Sequence, residues 1–182
     1  LVRLAKNGGE GAAVISGLYV ADNMNFTHAI QIDADGQHDL AAVTDFLDQA
    51  HHNPQALVCG YPIYDQTVPL SRLWGRKLTN FWVHVNTRSK ALRDAMCGFR
   101  VYPLAQTLPV LPSVKTRRMD FDPDIVVRLI WAGVTVINRP VRVTYPKDGI
   151  SHFRGFSDNM RISRLHAGHF CTMLLRRMGL AK

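Results

Sequence analysis

An alternation of two periods restricts the fold more than any other feature of this sequence. Short apolar runs suited to buried strands, "HAIQI" at 28–32, "QALVCG" at 55–60 and "CGFRVYPL" at 97–104, stand between segments whose apolar residues recur every three or four positions. "EGAAVISGLYVADN" places Ala13, Val14, Leu18 and Ala21 at helical spacing, after the flexible pair Gly8 and Gly9. "HDLAAVTDFLDQAHH" sets Leu40, Val43, Phe46, Leu47 and Ala50 on an amphipathic stripe. In "SRLWGRKLTNFWVHVN", Leu73, Leu78, Phe81, Trp82 and Val85 fall roughly on one side of a helix. Strands alternating with helices predict an α/β fold, a sheet covered by helices.

Punctuation sharpens the second half. In "FDPDIVVRLIWAG" Asp122 reads as an N-cap, Pro123 as the first helical residue and Gly133 as the residue just past the end. Pro103 stops the preceding strand, Pro109 and Pro112 mark an irregular stretch, and "VTVINRPVRVTYP" reads as strand, break, strand. A last helix is expected over about 157–180, with Ile162, Leu165, Phe170, Met173 and Leu174 amid Arg161, Arg164, Arg176 and Arg177. With no repeat, low-complexity tract or linker, a single domain over 1–182 is expected.

Composition narrows the class. Twenty-two Lys and Arg against 14 Asp and Glu leave 22 − 14 = +8, which suits an anionic partner. No helix-turn-helix, RNA-recognition or zinc-finger signature accompanies that charge, so a basic nucleic-acid-binding module is the weaker alternative. Cys59, Cys97 and Cys171 are odd in number and lack CxxC spacing, which supports neither a disulfide framework nor a zinc site and points to a reducing cytoplasm. No apolar run approaches the roughly 18 residues of a membrane span. The sequence has no initiator Met and goes quickly into a helix, so an N-terminally truncated domain is expected.

The chemistry gathers where "HAIQI" runs into "DADGQHD". Asp33 and Asp35, two apart, point the same way in an extended chain, at the carboxyl end of a buried strand where α/β sheets bind ligands. Two converging carboxylates suit a hard cation, Mg²⁺ or Mn²⁺, that keeps positions free for phosphate oxygens. Gln37 offers a further oxygen and Gly36 lets backbone approach a ligand. The same residues also read as a turn at Asp35-Gly36 with Asp39 capping the next helix.

"NGGEGAAVISGLYVA" followed by "HAIQIDADGQHD" resembles the nucleotide-sugar half of family 2 glycosyltransferases, the group that includes polyprenyl-phosphate mannose and glucose synthases. "CGFRVYPL" looks like their SGFR segment. "FDPDIVVRLIWAGVTVINRPVRV" is similar to their acidic helix and G-x-x-x-I-x-x-P-V strand, and "YPKDGISHFR" to the basic loop that closes on the donor. The blocks follow family order over nearly the whole chain. The resemblance implies a GT-A, Rossmann-like fold with a mixed, mostly parallel sheet. It further implies inverting transfer of a sugar from a nucleotide-diphosphate sugar, with Asp33 and Asp35 as the metal-binding DxD pair and Gln37 beside them. The acceptor is a polyprenyl phosphate, another lipid or a glycan, and contact with the inner face of the cytoplasmic membrane is expected. A nucleotidyltransferase, which also pairs carboxylates with a metal, is the enzymatic alternative.

Other residues follow from the same resemblance. Asp122 and Asp124 face the acceptor as catalytic candidates, Asp124 being favoured; a hydroxyl acceptor needs a general base, whereas an ionised lipid phosphate does not. Gly98, Arg100 and His152 are expected on the acceptor side. Lys147 and Arg154 are expected on the diphosphate. Asn7, Gly9 and Gly11 read either as donor contacts or as a glycine-rich helix start, and Glu10 stands where the family often has lysine. The two basic, apolar-interleaved helices at 71–86 and 160–182 fit a membrane surface or a core-packed face equally well.

Overall fold

The computed structural model describes residues 1–64, 68, 70–144 and 155–180. Among these residues six α-helices and four strands follow in order: α1 (Glu10–Asn23), β1 (His28–Gln31), α2 (Val43–His52), β2 (Leu57–Tyr64), α3 (Leu70–Thr87), β3 (Arg100–Pro103), the short α4 (Leu104–Thr107), α5 (Phe121–Trp131), β4 (Val136–Val143) and α6 (Gly155–Arg177). The strands form one sheet in the order β1-β3-β2-β4, with β3 antiparallel to both neighbours and β2 parallel to β4. Three strands thus share a direction and β3 runs against them, the mixed sheet between helices expected of a GT-A-like fold.

Alternation along the strands divides the core between two faces. Leu57, Cys59 and Tyr102 join Leu18, Val83, Phe121 and Ile125 under α1, α3 and α5. Val58 and Val101 join Phe46, Ala50, Phe99, Val141 and Val143 under α2. Leu57, Val58 and Cys59 are fully buried, as the central position of β2 requires.

Four readings are corrected. "VTVINRPVRV" is not interrupted: β4 runs through Pro140, because β4 is an edge strand and the missing N–H costs no ladder bond on the solvent side. Asp120, not Asp122, stands at the N-cap of α5; Pro123 is the third helical residue, still within the first turn, where its absent N–H leaves no helical bond unmade. Among the described side chains of α3 the buried ones are Thr79, Val83 and Asn86, while Leu78 and Phe81 are 60% and 56% exposed. The helix is turned so that Asn86 donates to His166 O and Trp131 Nε1 donates to Asn86 O, and polar bonds to α5 and α6 replace the apolar contact foreseen. Leu40 and Leu47 likewise point outward from the α2 segment, leaving Phe46 and Ala50 inside.

Candidate functional site

Strand pairing builds the site. β1 and β3 are antiparallel with Gln31 opposite Arg100 and Ile30 opposite Val101. Carrying that register two residues on sets Asp33 against Gly98. The contact is close: a Cβ on Gly98 would lie 1.9 Å from Asp33 Oδ1 and 2.4 Å from Oδ2. The chain after Asp33 then crosses the carboxyl ends of the strands to the far edge. There His38 bridges Val143, Asp39 N donates to Arg142 O, and Thr144 N donates to Gln37 O.

Around Asp33 lie groups from four elements. His38 Nε2 is 3.4 Å from Asp33 Oδ2, and Glu10, in the first turn of α1, shares a hydrogen bond with the same carboxylate. Burial alone would push Asp33 up, but the His38 hydrogen bond and the charges of His38 and Arg100 outweigh it and hold the carboxyl below its usual range. Glu10 goes the other way. Burial, with Asp122 and Asp33 adding negative potential, pushes it from an ordinary 4.5 up to about 9, so at neutral pH it is a protonated donor.

Beneath this cluster a buried network joins β1, β3 and α5. Arg100 is fully buried, and its guanidinium donates to Asp122 Oδ1 (2.8 Å), Asp122 O (3.2 Å), Ala95 O (2.8 Å) and Tyr102 Oη (3.3 Å). Tyr102 Oη donates to Gln31 Oε1 at 2.8 Å, and Gln31 Nε2 to Asp122 Oδ1 at 3.3 Å. Burial raises Asp122 despite the Arg100 charge. Arg100, expected on the acceptor side, is therefore committed to internal partners.

The sequence candidates separate accordingly. Asp33 and Asp122 share one cluster. Asp35 stays exposed, with its Oδ1 accepting from Gln37 N at 3.0 Å in a turn where Gly36 has φ +71°. The turn reading of Asp35 and the Asp39 cap, which accepts from Ala41 N, are both realised, without disturbing the position of Asp33.

Asp124 faces away, toward α6. Its carboxylate accepts from His169 Nε2 (2.9 Å), Thr116 Oγ1 (2.8 Å) and Arg128, and the residue is 1% exposed. Burial opposes ionisation, yet the His169 bond and the Arg128 charge prevail and depress its pKa, which makes it a weak base.

Gly9 (φ +92°) and Gly11 serve the joint between α1 and α5: a Cβ on Gly9 would lie 2.5 Å from Arg117 O, and one on Gly11 2.5 Å from Phe121 Cβ. Asn7 accepts from Gly9 N at the exposed start of that joint. Cys97 is a packed residue whose thiol is pushed up to about 12 by burial. Lys147, His152 and Arg154 lie outside the described residues. Sequence reasoning missed Glu10, His38, Gln31 and Tyr102 as members of this site. The period of two linking Gln31 to Asp33 was the available signal for Gln31, and pairing of the CGFR segment beside the DxD would have found Tyr102.

Comparison with known proteins adds one relationship. No family model matches the chain. The chain is 25% identical over 133 residues to the dolichyl-phosphate beta-glucosyltransferase of Dictyostelium discoideum, an alignment covering 69% of this chain and 40% of that protein. The chain thus spans less than half the length of the relative it matches, and the likeness is one of distant homology to a glycosyltransferase.

Proposed function

We propose that this chain belongs to an inverting, family 2-like glycosyltransferase that moves a sugar from a nucleotide-diphosphate donor to a polyprenyl phosphate or another lipid or glycan acceptor. The observation that carries the reading is the placement of an ionised Asp33 at the carboxyl ends of the sheet, in a chain distantly similar to a dolichyl-phosphate glucosyltransferase.

A divalent cation belongs to this reading: among the described residues no three metal-ligating side chains gather in one group, so phosphate oxygens and water would complete the set around Asp33 and Asp35. Asp33 is ionised and its side chain retains 30% exposure, while Asp35 has one oxygen not engaged by the turn. Hard oxygen donors from one or two carboxylates, completed by phosphate oxygens and water, suit Mg²⁺ or Mn²⁺. Asp33 and Asp35, with Gln37 beside them, would hold it, and when bound it would neutralise charge on the leaving diphosphate. The protein's own groups do the rest. Arg100 and Tyr102 keep Asp122 and Gln31 in place beneath the donor, and Glu10 donates to Asp33 instead of repelling it. Lys147 follows Thr144 by three residues in sequence and, with Arg154, supplies cations for the diphosphate. Of the two acids at the start of α5, Asp122 is the one that shares the Asp33 cluster. We take it as the base for a hydroxyl acceptor, although its carboxylate is 5% exposed and held by Arg100 and Gln31, whereas an ionised lipid phosphate needs no base.

Membrane contact belongs to the same reading. No helix of the described residues is long and apolar enough to cross a membrane. The outer side of α3 nevertheless exposes Trp74, Leu78 and Phe81, its sequence holds no acid, and a groove of about 460 Å³ lined by Leu78, Trp82, Ile162 and Phe170 separates it from α6. An apolar face flanked by cations suits the surface of an anionic bilayer, where a lipid acceptor resides.

The test is turnover of a panel of UDP- and GDP-sugars by the intact protein with Mn²⁺ and a short polyprenyl phosphate. Expected are nucleoside diphosphate release, a glycolipid product of inverted anomeric configuration, and a loss of at least 100-fold in Asp33→Asn. Pyrophosphate release, or no turnover of any donor, would overturn the reading.

A further inference from the structure

We propose that Gly98 and His38 are positioning residues that fix the Asp33 carboxylate in the one orientation from which it serves the donor, an inference that rests on the donor-side reading of Asp33 and takes Gly98 off the acceptor side.

The requirement for glycine at 98 is one of space. Its φ lies outside the left-handed region, so a side chain would meet no backbone strain there. The three nearest atoms to such a Cβ all belong to one group: Asp33 Oδ1 at 1.9 Å, Cγ at 2.3 Å and Oδ2 at 2.4 Å. A methyl at position 98 therefore displaces the Asp33 carboxylate first.

His38 closes the arrangement. Its side chain is 6% exposed, its ring stands edge-on to Phe99 with centroids 5.5 Å apart, and its backbone is paired to Val143. From that support Nε2 reaches Asp33 Oδ2. Phe99 adjoins Gly98 in sequence, so the glycine that makes room and the ring that backs the imidazole come from the same stretch of chain. A carboxylate already held in its working rotamer loses less freedom when a cation arrives than one that has to be ordered at that moment. Partners that orient a metal-binding carboxylate typically change metal affinity by about 10- to 100-fold when removed.

The experiment measures Mn²⁺ binding directly, from the electron paramagnetic resonance signal of the free ion, alongside donor and acceptor kinetics. The intact protein is compared with Gly98→Ala, His38→Phe, His38→Gln and Asp33→Asn. Gly98→Ala and His38→Phe are expected to weaken Mn²⁺ binding about 10- to 100-fold and to raise the Mn²⁺ needed for half-maximal turnover in parallel, with acceptor KM within about twofold. His38→Gln, which keeps a donor, is expected to recover part of the loss. Should Gly98→Ala fail to fold, the contrast between His38→Phe and His38→Gln decides alone. Mn²⁺ binding unchanged in Gly98→Ala or His38→Phe while Asp33→Asn abolishes it would overturn the positioning role and leave the donor-side reading intact. Unchanged binding in Asp33→Asn would remove that reading and the inference together. A rise in acceptor KM alone would return Gly98 to the acceptor side.

Discussion

Replacing Arg100 by Met should damage the fold before it touches any ligand. Arg100 is fully buried and makes four hydrogen bonds, two of them to Asp122, which is itself 5% exposed. Met fills a similar volume but removes the cation, leaving a buried carboxylate with Gln31 as its remaining side-chain donor. Breaking one side of a buried pair costs about 3–5 kcal/mol. For a domain of this size each kcal/mol moves Tm by about 2–4 °C, so Arg100→Met is expected to melt roughly 6–20 °C lower.

The pH dependence adds a second signature. The folded-state pKa of Asp122 is already raised by burial, and losing the Arg100 charge raises it further. A raised folded pKa gives stability that is whole in acid and lost as pH rises through that pKa, so the deficit should grow from pH 5 to pH 8. Arg100→Met combined with Asp122→Leu removes the orphaned charge and is expected to recover most of the loss. Urea unfolding at several pH values measures all three variants. A deficit below about 1 kcal/mol at pH 7, or a double variant no better than the single, would refute the account.

Glu10→Gln is expected to stabilise the protein at pH 8 and to change little at pH 4. The stability tied to its protonated form is whole below the ordinary 4.5 and lost as pH rises toward about 9, which thermal melts across that window will show. His169→Phe keeps the ring against Trp131 but leaves Asp124 without its 2.9 Å donor, and about 1–3 kcal/mol lost in urea unfolding is expected. Phe46→Ala empties a fully buried site beside Phe99 and should cost about 3–5 kcal/mol by the same assay.

The alternation of periods made the strands and helices legible, because the two leave different spacings in the chain, but β1, read as a buried strand, lies at the sheet edge with Ile30 38% exposed. The first helix was readable to its ends, since Gly9 and the loss of helical pattern after Asn23 bracket it locally. Boundaries that depend on distant partners were not. Asp122 carries every local mark of an N-cap, and only the arrival of Arg100 from 22 residues away turns its carboxylate into the core. Pro140 looks like a break until β4 is known to lie at an edge.

The site shows the same division. Asp33 at a strand terminus was legible from spacing and resemblance. Glu10 was not, because its proton is a product of burial beside Asp33 and Asp122, and no neighbour in sequence announces either. The surroundings of Asp124 were hidden for the complementary reason: its three donors come from residues 116, 128 and 169, two of them beyond the local pattern.

The segment from Asp33 to Asp39 leaves one rim of the sheet and is tied down at the other by His38, Asp39 and Gln37 against Arg142, Val143 and Thr144. Such a span is fastened like a bridge deck on two piers, so its curvature is set by the width of the sheet beneath it. Changes at Arg142 or Val143, more than a hundred residues away in sequence, therefore act on the same stretch of chain as changes beside Asp33, and the far rim is as much a part of the acidic centre's framework as the near one.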